Sequence, residues 1–199
     1  MDYNYIFFDC ESNSGRSHAD ILTISALFVD KNFKLIEEFN CAARLRKSRI
    51  YEIDSFLVNG MDPFEVDKHP FSNFDLTKKT NDKFISWINK GPVLFCAHNG
   101  YQFDYMLTST HLFTNLFTWP WIFSTGNAKQ IDSLPILQNF DFYAPNTIAV
   151  ELNEKSNKTF KLGSLCRMNG FDLGDKAHTA EADTLGMSKL MQLISNKNP

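Results

Sequence analysis

An unbroken apolar run from Val93 to Ala97 restricts the fold more than any other part of the sequence. Gly91-Pro92 precedes this run and Asn99-Gly100 follows it, so turn-forming residues limit it to the length of a short β-strand. A strand without a polar position is typical of the middle of a sheet that is covered on both faces. The run therefore predicts an α/β fold with helices packed on both sides of a central strand.

The other elements follow from periodicity and from turn residues. Strand patterns occupy residues 5–11, 21–29 and 33–39, the last two joined by a tight turn at 30–32. Helices are predicted after Asn99-Gly100 and at residues 62–68, 80–90, 162–169 and 179–195. The side chains expected to face the core from two of these helices are Phe103, Met106 and Leu107, and Leu185, Met187, Leu190, Met191 and Ile194. Strands that precede a buried strand between helices indicate a mixed sheet.

The composition argues against a protein that coats nucleic acid broadly. The formal net charge is −3, so the whole molecule offers no general attraction for a polyanion, and any nucleic-acid contact should be local. The nineteen phenylalanines are expected to fill the core, although a few could stack on bases. One basic cluster suits phosphate contacts or forms a solvated loop: Arg44, Arg46, Lys47 and Arg49.

Cysteine spacing and the N-terminus bear on the cellular compartment. The four cysteines, Cys10, Cys41, Cys96 and Cys166, lie far apart and form no C-x-x-C pair, which indicates reduced, buried thiols. No signal peptide and no apolar stretch long enough to span a membrane are visible. We therefore expect a cytoplasmic protein without a membrane partner, folded as a single domain over residues 1–199.

Asp9 and Glu11 stand two residues apart near the end of the first predicted strand. The period of two places both carboxylates on the same face of that strand. Two such groups beside Phe7 and Phe8 repel each other and resist desolvation, unless a proton or a cation neutralises them. The pattern indicates a divalent-metal site, although Asp-x-Glu also occurs on strand faces that are simply exposed to water.

Three more candidates fall at the ends of predicted elements. Asp104 follows the buried strand, at the sheet edge where ligands of α/β proteins gather, although its charge could also serve the helix dipole. His178 and Asp183 would diverge by about 140° within one helix, so they can meet only if His178 precedes the helix and Thr179 caps it. With Asp9 and Glu11 these residues predict an oxygen-rich site for magnesium or manganese rather than zinc. Taken alone, His178 is more often a surface or capping residue.

The order of these motifs resembles the DEDDh branch of the DnaQ-like 3′–5′ exonucleases. The matching segments are Phe8-Asp9-Cys10-Glu11-Ser12, His98-Asn99-Gly100-Tyr101-Gln102-Phe103-Asp104 and His178-Thr179-Ala180-Glu181-Ala182-Asp183. Three residues separate Asn99 from Phe103-Asp104, which is similar to the nuclease domain of bacterial exonuclease I. Residues 57–63 and 160–170 resemble the same domain, whereas Ser12 departs from the threonine usual in the family.

The resemblance implies an RNase H-like α/β fold, in which helices flank a mixed five-stranded sheet, and hydrolysis of single-stranded DNA from the 3′ end to 5′-mononucleotides. It implies two Mg²⁺ ions, for which Mn²⁺ can substitute, held by Asp9, Glu11, Asp104 and Asp183, with His178 as the general base. The residues it places near the terminal nucleotide are Ser12, Asn13, Asn99 and Tyr101. Tyr101 is a candidate for stacking on a base, and packing in the core or at the rim of the site is an equal alternative for it.

Two alternatives remain open on the sequence. One is an RNA-directed enzyme of the same fold, resembling oligoribonuclease or RNase T, because the motifs hardly separate deoxyribose from ribose. The other is a catalytically silent nucleic-acid-binding module. We favour single-stranded DNA over RNA as the partner and leave protein partners open. Bacterial exonuclease I continues into further domains, so high processivity is not expected here.

Overall fold

The computed structural model describes residues 2–16, 18–48, 52–117, 121–124, 126–171 and 179–197. Within them, the central sheet comprises β1 (Asn4–Ser12), β2 (Ile21–Val29), β3 (Leu35–Ala42), β4 (Val93–Ala97) and β5 (Ala128–Asp132). Their spatial order is β3-β2-β1-β4-β5. The first three strands are antiparallel neighbours, while β4 and β5 run parallel to β1. The predicted mixed five-stranded sheet is confirmed.

Helices cover both faces of this sheet. The helices of the described residues are α1 (Ile53–Asn59), α2 (Pro63–Asp67), α3 (Asn73–Ile88), α4 (Asp104–Thr114), α5 (Ser133–Tyr143), α6 (Leu162–Met168) and α7 (Ala180–Lys197). Among them, α3 and α4 pack on one face, and α5, α6 and α7 pack on the other. A 3₁₀ turn spans Trp121–Phe123, and a small hairpin pairs β6 (Glu151–Leu152) with β7 (Lys158–Thr159). None of the helices in the described ranges is long and apolar enough to cross a membrane.

Adjacent residues of β1 point into two separate cores, as the pleat of a strand requires. Phe8 packs among the aromatic rings of the α3 and α4 side, where Phe84 and Phe95 contact it edge to face. Phe7 faces the α5, α6 and α7 side, with Leu137 and Met187 among its cluster. Most of the large fully buried side chains are therefore aromatic, which confirms core filling as the main role of the phenylalanines.

Local hydrogen bonds explain where the predicted boundaries were wrong. The Asp30 carboxylate accepts the backbone N–H groups of Asn32 and Lys34, so the turn continues and β3 begins at Leu35 rather than residue 33. The helix predicted from residue 80 begins at Asn73, because Ser72 and Asp75 form a capping box.

Three further corrections concern packing and the last strand. Met106 and Leu185 were predicted to be buried, but both are exposed at about two fifths of their surface. β5 had no strand prediction, since its sequence Ala-Lys-Gln-Ile-Asp is largely polar.

All four cysteines are buried free thiols, as predicted.

Candidate active site

Three carboxylates meet at the carboxyl end of β1. Asp9, Glu11 and Asp183 each offer an oxygen, and these atoms lie within 4.8 Å of one another. Asp9 and Glu11 share one face of β1, as their spacing predicts, and all three residues are half-buried. Asp183 reaches them from the first turn of α7, which packs against β1 and β2. Two motifs about 170 residues apart in the chain therefore form one acidic cluster.

Asp104 is buried beside this cluster, with 3% of its surface exposed. It is the first residue of α4. The ladder between β1 and β4 ends at the pair Phe7 and Cys96, and beyond it the Asp104 Oδ1 accepts the backbone N–H of Cys10 at 3.0 Å. The helix that follows the buried strand thus presents its carboxylate to the segment of β1 that carries Asp9 and Glu11.

Burial and mutual repulsion shift the titration of these acids. Desolvation, followed by the charges of Asp104, Glu11 and Asp183, raises the pKa of Asp9 well above its usual value. Desolvation, followed by the charges of Asp183 and Asp104, raises the pKa of Glu11 to about 8. Burial likewise raises the pKa of Asp104 to about 7, although the hydrogen bond from Cys10 opposes the shift. Burial and mutual repulsion therefore disfavour the ionised form of these carboxylates, and a bound cation would offset both effects.

The donor set fits a hard divalent cation. Every ligand atom of the cluster formed by Asp9, Glu11 and Asp183 is a carboxylate oxygen, which suits magnesium or manganese better than zinc. His178 lies outside the described residues, so its distance from the cluster stays a prediction. Thr179, directly after it, accepts the N–H of Ala182 through Oγ1 at 3.3 Å and precedes the first residue of α7. The predicted cap of this helix is confirmed.

Comparison with known proteins gives relatives that share this fold. No protein-family model matches the chain. Exodeoxyribonuclease I of Buchnera aphidicola subsp. Schizaphis graminum is 26% identical over 203 residues, which cover 100% of this chain and 40% of the relative. The structure of E. coli exonuclease I in complex with a dT13 oligonucleotide matches with a TM-score of 0.90 at 18% identity, over 99% of this chain and 42% of that one. Exonuclease I from Methylocaldum szegediense gives 0.87 at 16% identity, over 99% and 41%.

The chain is a homologue of exodeoxyribonuclease I. The resemblance drawn from its motifs is confirmed, and so is the fold of the exonuclease I nuclease domain. This homologue spans about two fifths of the length of the relatives that it matches. Another exonuclease I structure is described as a complex with SSB-Ct.

Two grooves flank the acidic cluster of the exonuclease I homologue. The first, which we call the α1 groove, is lined by Glu11, Ser12, Val58, Asn59 and Phe103, among others. The second, the hairpin groove, lies between α5 and the β6–β7 hairpin and is lined by Asp183, His98, Asn99, Phe160 and Lys161, among others. Each groove contains one residue of the cluster, Glu11 in the α1 groove and Asp183 in the hairpin groove.

The four predicted nucleotide-binding residues differ in what they can offer. Ser12 is buried and its hydroxyl donates to the carbonyl of Ser14 at 2.6 Å. Asn13 is buried too, and its Oδ1 accepts the N–H of Asp20 at 2.8 Å. These two side chains have structural partners within the protein.

Asn99 and Tyr101 are more accessible than Ser12 and Asn13. Asn99 is exposed in the hairpin groove. Half of the Tyr101 surface is exposed, while its hydroxyl donates to the carbonyl of Gln130 at 3.1 Å and its ring packs 5.5 Å from that of Tyr105. Both packing at the rim and stacking on a base are compatible with this placement of Tyr101.

Two arginines of the basic cluster already bind other groups of the protein. The Arg46 guanidinium binds the carboxylate of Asp20, which is fully buried. Arg44 donates to the carbonyl of Pro70 at 2.6 Å. Lys47 is exposed, and Arg49 lies outside the described residues. The arginines therefore tie the segment after β3 to its neighbours.

Asp132 is the residue of this site that the motifs did not reveal. It stands at the carboxyl end of β5, next to Asn99, and 5% of its surface is exposed. Its side chain caps α5 by accepting the N–H of Leu134. An aspartate directly before Ser133 is the signal that could have predicted this cap.

Proposed function

We propose that this exonuclease I homologue hydrolyses single-stranded DNA from its 3′ end and releases 5′-mononucleotides. The observation that carries the proposal is the convergence of Asp9, Glu11 and Asp183 within 4.8 Å, with Asp104 buried beside them. An all-oxygen set whose own charge is disfavoured is suited to Mg²⁺, with Mn²⁺ as a substitute. The homology to exodeoxyribonuclease I supports the same activity.

The residues have distinct roles in the proposed reaction. Asp9, Glu11 and Asp183 would hold the cations together with Asp104. Two bound cations would neutralise charge on the scissile phosphate and make a water molecule more acidic. His178, as a neutral imidazole, accepts the proton of the attacking water, which bonds to phosphorus. The bond from phosphorus to the 3′ oxygen of the preceding nucleotide breaks at the same time, and that oxygen takes a proton from solvent. The products are a 5′-mononucleotide and a strand that ends in a new 3′ hydroxyl.

Two exonuclease I structures support single-stranded DNA as the proposed substrate. Exonuclease I structures contain dT13 and dA16 oligonucleotides. In the present chain the two grooves beside the cluster provide paths for a flexible strand, and the exposed ring of Tyr101 is a platform on which a base can stack. A duplex offers neither free bases nor the flexibility to enter such grooves.

A strand-degradation assay tests this function. DNA, RNA and duplex oligomers of matched sequence, labelled at the 5′ end, are incubated with Mg²⁺, Mn²⁺ or a chelator, and the products are resolved by length. We expect a ladder that shortens from the 3′ end of single-stranded DNA and stops with chelator. Asp9→Asn should be inactive, whereas Asp82→Asn, which changes an exposed carboxylate on α3, should match the unmodified protein.

Three outcomes would contradict the proposal. Cleavage in chelator would exclude the metal-dependent mechanism. Faster degradation of RNA than of DNA would assign the chain to RNA instead. Binding of the oligomers without product under all metal conditions would indicate a nucleic-acid-binding module.

The SSB C-terminus is the protein partner to test first. A complex of exonuclease I with SSB-Ct is known among the structural relatives, and the present chain matches 42% of that protein. Titration of a labelled SSB C-terminal peptide, with a peptide of scrambled sequence as control, measures whether this part of the molecule binds it. Equal signals for the two peptides would exclude a specific site on this chain.

A further inference from the structure

One buried carboxylate, that of Asp132, joins two segments at the candidate active site. Its Oδ1 accepts the backbone N–H of Asn99 at 2.9 Å and that of Leu134 at 2.9 Å. Its Oδ2 accepts the backbone N–H of Tyr101 at 3.2 Å. Asp132 therefore caps α5 and at the same time holds Asn99 and Tyr101 in the turn between β4 and α4. An ordinary helix cap needs only the contact with the Leu134 N–H.

The turn that Asp132 holds leads directly into Asp104. Asn99 has a positive φ of 58°, and a Cβ at Gly100 would lie 2.4 Å from the Cβ of Ala97. The turn therefore has one closely packed arrangement with little room to shift. Since α4 begins at Asp104, a displacement of this turn moves the Asp104 carboxylate relative to β1.

Ser133, the neighbour of Asp132, holds the same end of β4. Its Oγ lies 2.9 Å from Nδ1 of His98, and Nε2 of His98 lies 2.9 Å from the carbonyl of Phe160. A carbonyl only accepts, so Nε2 carries the proton and Nδ1 of the neutral ring accepts from the serine hydroxyl. Burial lowers the pKa of His98, which favours this neutral form. The side chains of Asp132 and Ser133 thus both form hydrogen bonds to the segment that precedes Asp104.

We propose that Asp132 is a positioning residue, which acts through the turn at residues 99–101 to fix Asp104 for metal binding and cleavage; this rests on the proposed function. A carboxylate is required because it offers two acceptor oxygens and no donor. With asparagine, one oxygen can still cap α5 and accept from Asn99, but the amide NH₂ then faces the N–H of Tyr101. The substitution therefore keeps the cap on α5 and removes the hydrogen bond from the Tyr101 N–H.

The test compares Asp132→Asn with Asp62→Asn. Asp62 caps α2, where its Oδ1 accepts the N–H of Phe64 at 2.8 Å, so the control makes the same chemical change at a cap outside both grooves. We expect Asp132→Asn to lower kcat by about tenfold or more with KM within about twofold, because Asp104 is misplaced while the grooves persist. The Mg²⁺ concentration at half-maximal thermal stabilisation should rise about tenfold. Asp62→Asn should leave both values unchanged.

The result that overturns the proposal is an Asp132→Asn protein whose kcat and Mg²⁺ midpoint equal those of Asp62→Asn. A purely structural cap would give that result, because asparagine caps helices as well as aspartate does. If the unmodified protein degrades no strand, the proposed function fails, but the Mg²⁺ titration still decides whether Asp132 positions Asp104. If the unmodified protein is active and the Mg²⁺ midpoints of Asp132→Asn and Asp62→Asn agree, only the proposed role of Asp132 is excluded.

Discussion

The Asp104 carboxylate accepts the backbone N–H of Cys10 at 3.0 Å, just beyond the last residue pair of the parallel ladder between β1 and β4. The side chain of a helix thus satisfies a strand N–H that the neighbouring strand no longer reaches. This contact holds the first turn of α4 against the part of β1 that carries Asp9 and Glu11. It makes Asp104 both a structural partner of β1 and a member of the acidic site.

Replacement of Asp104 separates these two roles. In Asp104→Asn the side-chain oxygen can still accept from Cys10, while the negative charge is lost. We expect kcat to fall about 100-fold or more, with the free energy of unfolding unchanged or higher, because the substitution relieves repulsion among the carboxylates. Single-turnover cleavage and urea unfolding measure the two effects. Full activity in the folded variant would remove Asp104 from the site.

The acidic cluster and Asp104 beside it should make the free energy of unfolding depend on both pH and metal. The pKa of Glu11 is raised to about 8 and that of Asp104 to about 7, so the folded state holds protons that the unfolded chain releases near pH 4. Without metal, the stabilisation that these two protonated groups contribute should be fully present below about pH 4. It should be lost as the pH rises through 7 to 8. Mg²⁺ should raise Tm most at the alkaline end, because it binds the ionised cluster.

Thermal melts at several pH values, with chelator and with Mg²⁺, measure this dependence. Asp9→Asn is the control, since it removes one charge from the cluster and should reduce both the alkaline loss of Tm and the gain from Mg²⁺. A Tm that is equally insensitive to Mg²⁺ at pH 6 and pH 8 would argue against a metal site at these carboxylates.

Gly100 should tolerate no side chain. A Cβ there would lie 2.4 Å from the Cβ of Ala97 and 3.0 Å from the Tyr105 ring. We expect Gly100→Ala to lower the free energy of unfolding by about 1–3 kcal/mol through overpacking. Gly163→Ala is the matched control, because Gly163 lies in α6 with open space around its Cβ position, and alanine should stabilise that helix by up to about 1 kcal/mol. Equal unfolding midpoints for the two variants would contradict this difference.

Glu37 should stabilise the fold away from the site. Its carboxylate accepts from Trp87 Nε1 at 2.7 Å and contacts the ammonium groups of Lys83 and Lys90. The hydrogen bond from Lys83 is the largest of the contacts that lower the Glu37 pKa to about 2. The stabilisation is present above the unfolded pKa of about 4.3 and is lost as pH falls toward 2.

Because a third of the Glu37 side chain is exposed, solvent screening limits its contribution, and Glu37→Gln should cost about 1 kcal/mol at pH 7. The difference from the unmodified protein should vanish near pH 2. Glu38→Gln alters the adjacent exposed glutamate, whose carboxylate accepts from the Asn40 amide at 2.7 Å, and should have little effect at either pH. Urea unfolding at both pH values compares the variants; a pH-independent difference would exclude the ionic contribution.

Several features of this protein follow from local sequence alone. β2 and β4 occupy the predicted residues, because an apolar run bounded by turn residues has few other structures available. The two-residue spacing of Asp9 and Glu11 places them on one face of β1 whatever the rest of the chain does. Thr179 caps α7 for an equally local reason, the reach of its hydroxyl to the N–H of Ala182.

Only the tertiary structure decided which groups come together at the site. β5 is polar in sequence and becomes a strand because β4 pairs with it, and that pairing places Asp132 beside the turn at residues 99–101. Leu185 has an apolar side chain but lies on the outer side of α7, while Asp183 of the same helix turns toward β1. Such outcomes depend on how each packed helix is rotated about its axis and on what it contacts. Hydrophobic periodicity predicts the buried face of a helix only to within a residue or two.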